Sequence, residues 1–98
     1  VIIDNWLFHH NLVHAYERKV PVAEDLTCDF YVPVAQCYIE YWGLEGLEDY
    51  EKRREKKINV YQRYHLKLIG LKERDIERID DILPKKLTPY LPKDYRLQ

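Results

Sequence analysis

The sequence contains no methionine, only three glycines and only two cysteines in 98 residues. With no initiator residue and an apolar helical pattern at its very start, the chain is expected to be a piece of a longer protein. Cys28 and Cys37 fall inside strand-like runs at a spacing that fits no zinc pattern. They are expected to be reduced core thiols, which points to a reducing, cytoplasmic setting. No apolar run approaches the roughly 18 residues of a membrane span, and no signal peptide is visible, so no membrane partner is expected. There is no charge excess either: 16 Lys and Arg face 17 Asp and Glu, for a formal net charge of −1. Bulk charge therefore predicts no nucleic-acid partner, and any basic surface must be local. Repeats and low-complexity segments are absent.

What is present is the composition of one folded domain spanning residues 1–98. Hydrophobic residues make up 46%, and there are nine tyrosines, which argues against disorder. A chain of this length buries roughly 65% of its unfolded surface, enough for a core without staples.

The organising stretch is Cys28 to Gly43. Two runs rich in β-branched and aromatic residues, Cys28–Val32 and Gln36–Trp42, are joined by Pro33, Val34 and Ala35. Before them, Val1 to His10 has helical periodicity, with Asn11 suited to a left-handed stop. Leu12 to Val20 alternates loosely as a strand that Pro21 ends, and Val22 to Leu26 reads as a connection. After them, Gly43 and Gly46 break the chain ahead of a long helix, Leu47 to Tyr64. Lys67 to Leu71 reads as a strand and Glu73 to Ile79 as a helix. Asp80 to Leu87 reads as a further turn or two, interrupted at Pro84. Residues 88–98 hold Pro89 and Pro92 and are expected to form a loosely packed tail. The order predicts an α/β (α+β) domain: a three-strand antiparallel meander, a helical crossover to a fourth strand, and helices packed on a mixed sheet.

Each strand of the central pair carries an acid where a hydrophobe would fit, Asp29 in the first and Glu40 in the second. Neighbouring strands lie about 4.8 Å apart. At roughly 4 Å and an effective dielectric of 20, two such charges repel by about 4 kcal/mol, which a cation or a shared proton between them would relieve. On the long helix, Tyr50, Ile58 and Tyr61 define the sheet-facing stripe, with Arg54 inside it and Lys57 at its edge. Either base can run its stem along the core and present its charge near the sheet. Spacing alone does not choose Lys57 over Arg54, nor a site lysine over an ordinary snorkelling one. Two acids, a cation and one hollow are the parts needed for metal-assisted phosphodiester hydrolysis.

The run DFYVP…YIEYWG, followed by KINVY and LKLIGL, resembles the PD-(D/E)XK nuclease superfamily over Val1 to Leu87. Within it, the chain is similar to small nuclease domains attached to helicase-like DNA-processing proteins and related to very-short-patch-repair endonucleases. The resemblance implies a restriction-endonuclease-like αβββαβ core. It also implies Mg²⁺- or Mn²⁺-dependent cleavage of DNA inside a larger repair, recombination or restriction protein. Asp29 and Glu40 match the two metal-binding acids. The family lysine usually stands two residues after the second acid, where this chain has Trp42. Some relatives place it on the following helix, and Lys57 matches that position. Relatives also carry a first-helix glutamate, which would fall just ahead of Val1; Asp4 is a weaker substitute. Glu17, in HAYER, matches a frequent tyrosine–glutamate pair and is a candidate supporting residue or a surface salt bridge. Tyr61 is a candidate supporting residue beside Lys57.

Lys52, Arg53 and Lys56 belong to a basic run that reads either as a solvated helix face or as contacts to DNA phosphates. The spacing of His10 and His14 suits a metal only on a continuous helix, which Asn11 interrupts. With Trp42 in place of the usual lysine, a second reading stays open: a degenerate domain that binds DNA or a partner protein without cutting.

Overall fold

The computed structural model describes residues 1–43 and 46–97. Leu44, Glu45 and Gln98, which belong to the expected glycine break and to the tail, lie outside the described residues. Along the chain, α1 (Ile2–His9) leads to β1 (Ala15–Tyr16), β2 (Phe30–Val32) and β3 (Cys37–Tyr41). Then come α2 (Glu48–Arg63), β4 (Lys67–Leu71), α3 (Glu73–Ile76), α4 (Ile79–Leu87) and a 3₁₀ turn, Thr88–Tyr90. The four strands form one mixed sheet in the order β1-β2-β3-β4. The first three make an antiparallel meander, and β4 lies parallel to β3, returning through α2.

Alternation along the strands sorts two cores onto opposite faces. Phe30, Val32, Cys37 and Ile39 point into the larger one, with Ile3, Trp6 and Leu7 of α1 and Leu83 and Leu87 of α4. Cys28, Tyr38 and Tyr61 form the smaller one under α2, with Val20 and Leu26. Cys28 and Cys37 are both buried free thiols. Burial raises the pKa of each, that of Cys37 to about 12.

The α2 helix forms where its stripe dictates. Tyr50, Arg54, Lys57 and Ile58 are half-buried and Tyr61 is fully buried, while Lys52, Arg53 and Lys56 face solvent. Glu48, Asp49 and Glu51 occupy its first turn, the favourable end of the helix dipole for acids.

Four expectations are corrected. The first strand is far shorter than Leu12–Val20, because Glu17 sits at φ 49° and kinks the chain. Only Ala15–Tyr16 remains regular, and beyond the kink the pairing persists as an isolated Lys19–Thr27 bridge. Second, Pro84 does not interrupt α4, which continues to Leu87. Proline at mid-helix removes one backbone hydrogen bond. Leu83 and Leu87, one turn apart and fully buried, hold the helix together across it. Third, residues 88–97 are not a loose tail: Tyr90, Leu91, Tyr95 and Leu97 pack against the larger core. The expected helix over Glu73–Ile79 is divided into α3 and the start of α4. Asn11 does take the left-handed conformation, at φ 56°.

Candidate active site

Glu40 is the one charged side chain buried among the described residues, at 1% exposure. It is next to last in β3 and shares the α2 face with Tyr38. Its pairing partner on β4 is Gly70. No side chain arises there, so the space beside Glu40 is filled by Trp42, against whose indole a Cβ on Gly70 would collide.

The α2 helix supplies both partners of this carboxylate. The Tyr61 hydroxyl donates to Glu40 Oε2 at 2.7 Å. Lys57 Nζ lies 3.2 Å from each of Oε1 and Oε2 and donates also to the Thr27 carbonyl at 3.0 Å. Arg54, the rival from spacing, bonds instead to Glu51 one turn earlier, at 2.7 Å. The local pairing of Arg54 leaves Lys57 as the base that meets the acid.

Burial dominates the electrostatics of Glu40. Desolvation pushes its carboxyl above the usual range, and the nearby Asp29 charge adds to that. The Tyr61 hydrogen bond and the Lys57 charge pull the other way without cancelling it. The Tyr61 phenol is raised in turn, first by burial and then by its bond to Glu40, so it serves as a donor.

Asp29 immediately precedes β2. The register Phe30↔Ile39, carried one residue further, sets it opposite Glu40. Its Oδ2 accepts the Tyr41 N–H at 2.7 Å, which fixes the carboxylate against β3. Asp29, Glu40, Trp42, Arg53, Arg54 and Lys57 line one cleft of about 280 Å³, together with Tyr41 and Tyr50. Thus Asp29, Glu40 and Lys57 converge there, with Arg53 beside them.

The other candidates are placed differently. Lys52 pairs with Glu48 at 3.3 Å, both well exposed, and neither Lys52 nor Lys56 lines the cleft. Glu17 is outside it too; its backbone N–H donates to the Asp29 carbonyl at 2.8 Å, and its carboxylate lies by the Tyr16 hydroxyl, raising that phenol's pKa. Asp4 is engaged by His14 Nε2 at 2.6 Å, while His10 stacks on Trp6. The sequence reading missed Thr27, Tyr41 and Trp42. Two act through backbone atoms, which no side-chain pattern reveals, and Trp42 entered only as a missing lysine.

A metal can be tested against the donors. No group of three or more His, Cys, Asp or Glu side chains able to hold a metal occurs among the described residues. The protein's offer is two carboxylates. Among the described residues, Glu40 Oε1 has Lys57 as its single partner and Asp29 Oδ1 accepts no hydrogen bond, so each keeps lone-pair capacity. One or two carboxylates, with water and substrate phosphate completing the shell, is the set Mg²⁺ ordinarily takes. The residues therefore fit a hard divalent cation.

No family model, no curated protein and no solved structure matches this chain. No helix among the described residues is long and apolar enough to cross a membrane.

Proposed function

We propose that this chain is a metal-dependent nuclease domain of PD-(D/E)XK type, hydrolysing phosphodiester bonds of DNA within a larger repair, recombination or restriction protein. One observation carries the reading: Lys57 meets Glu40 from a separate helix, in the same cleft that Asp29 lines. A buried acid, a second acid and a lysine in one concave site is an arrangement suited to hydrolysis of an anionic ester.

Asp29 and Glu40 would hold Mg²⁺ or Mn²⁺, which when bound supplies an acidified water and a polarised phosphate. Tyr61 limits the rotation of the Glu40 carboxylate by holding Oε2. Lys57 is held by Glu40 and Thr27 at the cleft wall, where its ammonium offsets charge gathering on the phosphate oxygens. Arg53 and Arg54 line the same wall and suit the flanking phosphates.

The reading is tested by incubating the full-length protein with plasmid and oligonucleotide DNA, with and without Mg²⁺ or Mn²⁺. Cleavage should need the metal, and Asp29→Asn and Glu40→Gln should each abolish it by several orders of magnitude while the fold persists. Trp42 at the usual lysine position favours a second reading, a degenerate module that binds DNA or protein. Wild-type protein that never cuts, and that shows no calorimetric metal binding, would make that the better account.

A further inference from the structure

Both acids of the cleft have part of their carboxylate committed to the protein. Asp29 Oδ2 accepts the Tyr41 N–H at 2.7 Å, and Glu40 Oε2 accepts the Tyr61 hydroxyl at 2.7 Å. Lys57 takes up more of Glu40 than a single hydrogen bond does. Its Nζ is 3.2 Å from Oε1 and 3.2 Å from Oε2, so it stands in front of the carboxylate, midway between the two oxygens. A cation chelated by both oxygens of Glu40 would have to stand midway between them too.

Three acceptors hold the ammonium in that place, one for each of its protons. The third is the Thr27 carbonyl, at 3.0 Å. Strand pairing leaves this carbonyl available. The Lys19–Thr27 bridge is flanked by two backbone bonds, from the Cys28 N–H to the Arg18 carbonyl and from the Val20 N–H to the Leu26 carbonyl. Lys19 and Thr27 are therefore the pair between bonds, and the Thr27 carbonyl turns away from Lys19. The Lys57 stem is half-buried along α2, which further restricts where the ammonium can go.

Divalent cations differ in how they use a carboxylate. Ca²⁺ gathers about six to eight oxygens and readily takes both from one carboxylate, whereas Mg²⁺ keeps a compact octahedral shell with several waters and one or two carboxylates. We infer that Lys57 sets the cation preference of this cleft: standing midway between the Glu40 oxygens, it bars chelation there and holds Ca²⁺ back relative to Mg²⁺. This rests on the metal-dependent reading proposed above and gives Lys57 a second role, separate from the phosphate. Removing Lys57 has two other effects, and both act on the two cations alike. It takes away a repelling positive charge, and it lets protons compete harder for Glu40. The ratio of the two affinities cancels both and reads the chelating position.

The test is calorimetric titration of the full-length protein, without DNA, with MgCl₂ and separately with CaCl₂. Lys57→Ala should shift the ratio of the two dissociation constants by about tenfold in favour of Ca²⁺. Lys57→Met, which keeps most of the apolar stem, should shift it the same way, and it decides the matter if thermal melts show that the alanine variant is unfolded. Lys56→Ala, exposed and outside the cleft, should leave the ratio at its wild-type value. A ratio that stays at the wild-type value in the folded Lys57 variant would overturn the inference, as would an equal shift in Lys56→Ala. If wild type binds Mg²⁺ and cuts, that result sinks the inference alone. Wild type that binds neither cation overturns the inference together with the hydrolytic reading on which it rests.

Discussion

Lys57 Nζ stands 3.2 Å from both carboxylate oxygens of Glu40, bridging α2 and β3 at the point where the protein buries its charge. The relation is unequal. Glu40 is closed off from water, while the Lys57 side chain remains 34% exposed. The cost of the pair therefore falls on the acid.

That inequality predicts a stability gain from removing the charge. Glu40 has its pKa raised in the fold, so the native state keeps the proton to a higher pH than the unfolded chain does. Stability is thus lost as pH rises from the ordinary carboxylate value through the folded one. Glu40→Gln keeps the shape, cannot ionise, and escapes that loss. Its melting temperature at neutral pH should equal or exceed wild type, with the advantage shrinking towards about pH 4. Thermal melts across that range check it; a variant that melts below wild type at neutral pH and matches it in acid would reverse the sign.

The same shift predicts the acid limb of activity. The proposed hydrolysis needs Glu40 ionised, so kcat/KM should fall with acid from a midpoint above the ordinary value of 4.5. Protons and the metal compete for the same oxygens, so higher Mg²⁺ should move the limb down. Tyr61 favours the ionised acid, and Tyr61→Phe should move the limb up by about one unit. A pH profile of the Tyr61→Phe protein that overlays wild type would remove Tyr61 from the site.

Much of this arrangement was legible in the chain. Asp29 and Glu40 stood out because each breaks an apolar strand pattern, and the helical stripe containing Tyr61 and Lys57 followed from periodicity. The choice of Lys57 over Arg54 was not legible. It depends on Glu51 taking Arg54 locally, a pairing that competes with other rotamers and is settled only by packing. The short first strand was also hidden, since glutamate seldom signals a left-handed residue and Glu17 adopts one. Pro84 misled for the opposite reason: a strong local breaker was overruled by Leu83 and Leu87, buried on either side of it.

Trp42 fills a space that belongs to packing. It is 8% exposed, its backbone N–H donates to the Leu71 carbonyl at 2.7 Å, and its indole is laid over Gly70. A Cβ on Gly70 would come 2.8 Å from Trp42 Cδ1. Gly70→Ala should therefore displace the indole, destabilise the protein by about 1–3 kcal/mol and deform the cleft wall. Urea denaturation with Trp fluorescence reads both effects at once, and an unchanged midpoint and emission spectrum would show that the indole does not need this gap.

The central claim is that Lys57 acts at the reacting phosphate, and single-turnover cleavage by Lys57→Ala tests it most directly. Lys56, the next residue, is exposed and outside the cleft, so Lys56→Ala controls for general loss of positive charge. Lys57→Ala should slow the cleavage step by about 10² or more at saturating DNA and Mg²⁺. Lys56→Ala should leave that step unchanged, weakening DNA binding slightly and softening its salt dependence. Equal single-turnover rates for Lys57→Ala and wild type would contradict the account.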